Sequence, residues 1–172
     1  MLDSRLDAGA PVAATRPQIT VRSAGIADRA LVVKVLQRAF ADYDGRLMPP
    51  PGALGETEAS VRAHLERGAI ALAFMGEEVV GAMFADRRGN ALFLSRVSVV
   101  PERRGSGITA RLVAWAEEEA ARRKVTELSL RVREVLVQNV ALFTRLGFRE
   151  IGRHGHESDP ATVMIDMVKV LL

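Results

Sequence analysis

The sequence predicts a single α/β domain built on a mixed β-sheet, and three observations carry that prediction. Alternating, β-branched segments and segments with helical apolar spacing follow one another in the order β-α-α-β-β-β-α-β-α-β-β. No internal repeat and no linker divides them, and 172 residues is the size of one domain. A strand over 92–100 gives way to a helix through Gly105-Ser106-Gly107, and another strand follows that helix. A strand, a crossover helix and a neighbouring strand pack most simply as a parallel pair, so at least one such pair is expected there.

Residues 1–17 are rich in Ala, Asp, Arg and Pro and hold no apolar core of the signal-peptide kind, while Asp3 and Asp7 argue against a transit peptide. This stretch reads as a flexible N-terminal leader on a domain spanning 18–172. Residues 19–22 form a short strand. Asp28 is placed to cap a helix whose apolar face is Leu31, Val32, Val35, Leu36 and Phe40. The string "DYDGRLMPPPGALG" (42–55) is the longest interruption, with three prolines and three glycines. A second helix starts near Thr57 and stops at Gly68.

Three strands follow, 69–75, 79–87 and 91–100, joined through Gly76-Glu77-Glu78 and Arg88-Gly89-Asn90 into an antiparallel meander. The helix after the glycines runs to about Lys124, with Leu112, Val113, Ala116 and Ala120 on one face. Residues 125–133 read as strand and 138–146 as a short helix ended by Gly147. Two closing strands cover 148–154 and 162–170.

Composition excludes several chemistries. With no cysteine there is no disulfide, thiolate metal site or cysteine nucleophile. Three histidines, two of them His154 and His156, give little basis for a zinc site, and no metal is expected. The formal net charge of +3 comes from scattered arginines without interleaved aromatics, so no nucleic-acid partner is expected. No apolar run approaches the ~18 residues of a membrane span. The chain is expected to be cytoplasmic, with no membrane partner.

The string "VVPERRGSGITARLVAW" (99–115) sets two arginines and two glycines where a helix begins. Backbone N–H groups at a helix start lack partners and the macrodipole is positive there, which suits an anion. A P-loop needs Gly-x-x-x-x-Gly-Lys-Ser/Thr, and no such string exists. Gly105 to Ala110 formally matches the dinucleotide fingerprint Gly-x-Gly-x-x-Gly/Ala. Its context is poor: Pro101-Glu102-Arg103-Arg104 intervenes, Glu127 falls near the start of the next strand, and Glu134 comes late. A tight turn with no ligand is the plainest alternative.

The string "VSVVPERRGSGITARLV" resembles the acetyl-coenzyme A signature of the GNAT superfamily of N-acetyltransferases. Roughly forty residues later, "NVALFTRLGF" resembles the second signature, which ends in Tyr-x-x-x-Gly-Phe. Leu136 stands where the commoner form has asparagine, and Asn139 fits a variant form. The resemblance covers 19–172 as architecture and 92–148 as motif. "HESDPATVMIDMVKVL" is similar to the closing segment of a subset of these enzymes.

This resemblance implies the GNAT, or acyl-coenzyme A N-acyltransferase, fold: a mixed, centrally splayed sheet flanked by helices. It implies acetyl-coenzyme A as co-substrate, with the N–H groups of Arg104, Gly105, Ser106, Gly107, Ile108 and Thr109 cradling its pyrophosphate and Arg103 and Arg104 adding charge. Thr109 stands where the family usually has Gly or Ala, so weakened or altered binding is expected. Val97, Ser98 and Val99 match the strand whose backbone pairs with the pantetheine arm and polarises the thioester carbonyl. Asn139 is implied as a coenzyme contact or, equally, an ordinary helix cap, and Phe143 lies beside the sulfur.

Phe143 occupies the position of the family's usual tyrosine general acid and cannot donate a proton. No Asp or Glu lies on the central strand, where Ser95 and Arg96 stand instead. Asp42, Tyr43, Asp44, Glu134, His154 and His156 are the titratable candidates, of which Tyr43, Glu134 and His154 are carried as catalytic candidates without a decision between them. The loop "YDGRLMPPP" matches the region of the family's acceptor pocket, with Tyr43, Arg46 and Met48 as candidate lining. The expected activity is acetyl transfer to a primary amine of a small molecule or peptide. The alternative is a catalytically silent acyl-coenzyme A sensor, with a nicotinamide-dependent oxidoreductase third. The resemblance also admits a homodimer.

Overall fold

A computed structural model describes residues 17–172, so the predicted leader lies, but for its last residue, outside the described residues. The chain runs β1 (Ile19–Ser23), α1 (Arg29–Phe40), α2 (Glu58–Arg67), β2 (Gly68–Met75), β3 (Glu78–Arg88), β4 (Ala91–Val99), α3 (Ile108–Arg122), β5 (Glu127–Arg133), α4 (Val137–Arg145), β6 (Arg149–His156) and β7 (Asp159–Val170). The seven strands form one open sheet in the order β1-β2-β3-β4-β5-β7-β6. As the glycine turn predicted, β4 and β5 pair in parallel across α3, and the other neighbours are antiparallel.

The core sits around β2 and β3. Ile70 through Ala73 and Val79 through Ala85 are buried without the alternation of a one-sided strand, because helices cover both faces. α1 packs with α2 on β3 and β4, and α3 lies along β1 to β5. α1 buries Val32, Val35, Leu36 and Ala39 at helical spacing. Each fully buried aliphatic side chain contributes on the order of 1.5–3 kcal/mol. A Cβ on Gly81 would lie 2.7 Å from the Ser98 carbonyl oxygen and 3.1 Å from Ile108 Cγ2, so glycine lets β3, β4 and α3 meet there.

Local signals account for the ends of α2. The Thr57 hydroxyl accepts from the Ser60 N–H at 3.2 Å, and the Ser60 hydroxyl accepts from the Thr57 N–H at 2.8 Å. These reciprocal bonds satisfy two otherwise orphaned donors. Asp28 departs from its expected role. Its carboxylate does not cap α1; it accepts from the Gly25 N–H at 2.8 Å and takes both arms of Arg22 at 2.8 and 2.9 Å. The 42–55 interruption is less irregular than its prolines suggest, with 3-10 turns at Ala41–Tyr43 and Gly52–Gly55 and with Pro51 and Ala53 buried. β7 begins three residues before the expected 162, because Asp159 already pairs with His156.

The feature that positions the site is a split in the sheet. β4 and β5 pair only from Ala91–Glu127 to Leu94–Leu130. Beyond that rung β4 stays with β3, and β5 continues along β7 as far as Arg133–Met164. Two residues of β4, Arg96 and Val97, fall opposite Met83 alone where the register shifts. Arg96 takes a φ of 52°, the left-handed conformation of a bulge. The bulge bends β4 away from β5, and a wedge opens between them.

Candidate active site

The site begins at the glycine turn. Gly105 and Gly107 have φ values of 77° and 85°, a region that side chains with a Cβ enter only with strain. A Cβ at either would meet nothing within 4 Å, so backbone conformation demands glycine here and the space above the turn is open. Gly107 is the N-cap of α3 and offers no side-chain acceptor. The first bond into the helix runs from the Arg111 N–H to the Gly107 carbonyl at 3.2 Å. The N–H groups of the preceding turn therefore lack helical acceptors, which with the macrodipole makes a ready anion site.

The two arginines beside it are already engaged. Arg103 donates to Glu78 at 3.1 Å, and this hydrogen bond holds the Glu78 carboxyl below its ordinary range. Arg104 donates to Asp42 at 3.1 Å and to the Ala39 carbonyl at 2.8 Å, with its guanidinium 5.8 Å from the centre of the Tyr43 ring. Both guanidinium groups expected to add charge for an anion are thus paired with acids while still lining the cavity beside the turn.

From the turn a cavity of about 410 Å³ runs along the open edge of β4. Of the predicted residues, Val97, Ser98, Val99, Arg104, Gly105, Gly107, Ile108, Thr109, Asn139 and Phe143 line it, and Ser106 does not. Ser98 turns its hydroxyl away to donate to the Ala82 carbonyl at 3.1 Å, so it can serve a ligand only through its backbone. Beyond Leu94 the edge of β4 facing β5 has no ladder partner, and an extended ligand with amide groups can take that place. Asn139 is the third residue of α4 and not its cap, a position held by Leu136. Phe143 is buried edge-on against Phe148, the ring centres 5.6 Å apart.

A second cavity of about 240 Å³ abuts the first on the other side of the split. Phe40, Pro51, Val97, Arg133, Leu136, Asn139 and Phe143 line both, which makes them the seam between the two cavities. Among the acid–base candidates Tyr43 lines the larger cavity and His156 the smaller. Glu134 lines neither and is ion-paired with Arg153. His154 also lines neither; its Nε2 lies 3.2 Å from Asp166 and its Nδ1 2.8 Å from the Gly155 carbonyl. Asp42 is taken by Arg104, and Asp44, Arg46 and Met48 line neither cavity. The 42–55 loop instead contributes Tyr43 and Leu47 to the first cavity, Gly52 and Ala53 to the second, and Pro51 to both.

Sequence reasoning missed three arginines with their surroundings. Arg96, at the bulge, donates to buried Glu56 at 2.9 Å. Burial pushes the Glu56 carboxyl up, but hydrogen bonds from Ser60 and Arg96 outweigh it and hold the group below its ordinary range. Arg131 donates to Asp166 at 2.8 Å. Arg133 donates to the Pro49 carbonyl at 2.5 Å and, among the described residues, has no acid partner. The one local signal was arginine on the strand beside the split.

A parallel pair split beside an anion-binding helix start is the architecture of an acyltransferase of the acyl-coenzyme A type. The profile of the Acetyltransferase (GNAT) family matches residues 32–148, more than half of the sequence, and the chain belongs to that family. Its fold is similar to that of the PaiA N-acetyltransferase from Thermoplasma acidophilum, solved in complex with coenzyme A (TM-score 0.74, 17% identity, covering 89% of this chain and 99% of that one). It is also similar to a ribosomal-protein-alanine N-acetyltransferase from Brucella melitensis (TM-score 0.72, 23% identity, 88% and 99% coverage). No curated protein sequence matches the chain significantly.

Proposed function

We propose that the protein transfers the acetyl group of acetyl-coenzyme A to a primary amine through a ternary complex. The observation that carries this reading is the pair of cavities meeting at Val97 and Phe143, one leading to the uncapped start of α3 and the other leading away from it. Coenzyme in the larger cavity lays its diphosphate on the N–H groups from Gly105 to Thr109, the Arg104 N–H expected to join them being spent on the Pro101 carbonyl at 3.3 Å, and its arm along Val97 to Val99. The amine enters from the smaller one. Its nitrogen bonds to the acetyl carbon, the carbon–sulfur bond breaks, and the amine gives its surplus proton to water while the thiolate gains one.

The harder electrostatic step is freeing the amine of that proton, which for a lysine-like group at pH 7 costs about 4.6 kcal/mol. No carboxylate lines the smaller cavity, but Arg96, Arg131 and Arg133 do. With no acid among the described residues on its wall to hold the ammonium form, the amine passes its proton to water. A main-chain N–H of β4 polarises the thioester carbonyl. Phe143 offers no proton, and the leaving thiolate, whose acid titrates near ~8.5, takes its proton from water.

Calorimetry and thiol release test this together. Acetyl-coenzyme A at about 100 times its dissociation constant should raise stability by about 2.7 kcal/mol while NAD does nothing. Thiol release in the presence of an amine panel then marks an enzyme. Binding without any release supports the silent acyl-coenzyme A sensor, and stabilisation by NAD alone overturns both.

A further inference from the structure

Among the described residues the smaller cavity is lined by three arginines, Arg96, Arg131 and Arg133, and by no Asp or Glu. Two of the three are neutralised from behind: Glu56 accepts from Arg96 and Asp166 accepts from Arg131, and neither acid reaches the cavity wall. Arg133 is different. It is the most enclosed arginine of the three, 9% exposed, and its single hydrogen bond goes to a neutral carbonyl, that of Pro49. Its Nη1 has no acceptor among the described residues and is closed to the cavity as it is to solvent, so whatever the side chain presents to the cavity comes from the rest of the guanidinium. Burial pulls its pKa down from the ordinary arginine value, and no acid opposes that shift. A buried charge that has no acid partner among the described residues and lies on the wall of both cavities is a half-made ion pair.

We propose that Arg133 receives a carboxylate of the acceptor, so that the substrate is a small amino-acid-like molecule carrying its amine and its carboxylate close together. This inference rests on the acetyltransferase reading and names its substrate class. A carboxylate matches the planar fork of a guanidinium. Arg133 lines the seam together with Val97 and Phe143, so a carboxylate held there keeps the amine of the same small molecule near the reacting centre. A cavity of about 240 Å³ is smaller than the usual range for drug-sized ligands, which also favours a compact acceptor. A peptide N-terminus, whose nearest main-chain carboxylate is tied up as an amide, leaves Arg133 unsatisfied.

The test compares the twenty common amino acids with their carboxamides as acceptors, and their N-acetyl derivatives as ligands in the presence of coenzyme A. Loss of a hydrogen bond to a charged group predicts that the preferred acid exceeds its amide in kcat/KM roughly 10- to 150-fold. In the wild type the N-acetyl acid raises Tm over the coenzyme complex, and the N-acetyl amide does not. In Arg133→Gln the acid-to-amide ratio collapses towards one. A purely structural role for Arg133 lowers stability but leaves that ratio intact, and a role at the departing thiolate lowers kcat for acids and amides alike; either outcome overturns the proposal. So does equal use of both series, or no shift with either. Because coenzyme binding is read separately by the shift with coenzyme A alone, failure of the acceptor inference is distinguishable from failure of the acetyltransferase reading.

Discussion

Leu94 and Leu130 are the last opposed residues of the β4–β5 ladder, and beyond them the two strands have different neighbours. Both side chains are buried, so the end of the pairing is anchored in the core and not frayed at a surface. Each arm of the split is held by its own second partner, which lets a ligand occupy the gap without unfolding either strand.

Gly107 sits at a φ of 85° with open space where a Cβ would project. Gly107→Ala should cost about 1–2 kcal/mol through left-handed strain alone. Gly107→Glu adds a negative charge above the uncapped helix start, and should abolish coenzyme binding with a stability loss close to that of the alanine variant. Calorimetric titration beside thermal melting checks both; retained binding by the glutamate variant would count against the turn as a diphosphate cradle.

Phe143, proposed to lie beside the departing sulfur, has no proton to give. Phe143→Tyr should leave coenzyme affinity nearly unchanged and raise kcat at least ~10-fold, since a well-placed donor in such a site is worth about 2–4 kcal/mol. Steady-state kinetics with a competent acceptor decides it, and a slower variant argues that no donor is missing. Phe143→Ala should cost about 3–5 kcal/mol in denaturant melts, because the ring is buried edge-on against Phe148.

Glu56 and Arg96 come from segments forty residues apart and join the residue just before the α2 cap to the β4 bulge. Glu56→Gln should destabilise by about 2 kcal/mol at pH 7, less than a fully buried pair because the Arg96 side chain is 32% exposed. The carboxyl is held below its reference value of 4.5, so its contribution is complete above that pH and is lost as pH falls through the folded value. Urea melts of wild type and variant should therefore converge in acid.

Asp28 gives the same sign. The Arg22 hydrogen bonds, then the Gly25 N–H, lower its pKa from 3.8 to about 2. Its stabilisation should be whole above pH 4, fall away between about pH 4 and about 2, and amount to about 1 kcal/mol after allowance for solvent screening. Asp28→Asn should match wild type below that window, and a constant difference across it would refute the linkage.

Much of the fold was legible because it is written locally. Glycines needing positive φ, the Thr57 cap and the alternation of Leu128, Leu130 and Val132 each report their own surroundings. Asp28 misled because its best partner, Arg22, lies outside the helix it precedes. Arg133 was illegible for a related reason: alternation assigns it to the face opposite Val132, yet the loop at Pro49 lies within hydrogen-bonding distance of it, and Val132 and Arg133 are buried in succession. The Glu56–Arg96 pair leaves no trace in spacing, since nothing local marks a contact made through a bulge.

The acid-matched arginines beside the glycine turn carry a last consequence. Arg103 and Arg104 are already neutralised by Glu78 and Asp42, so the proposed attraction for the coenzyme resides in oriented peptide dipoles at close range. Dissolved ions screen exposed charges over distances near a Debye length but barely weaken a direct N–H contact. Coenzyme affinity should therefore hold almost level as sodium chloride is raised, making this a salt-tolerant grip on a highly charged molecule.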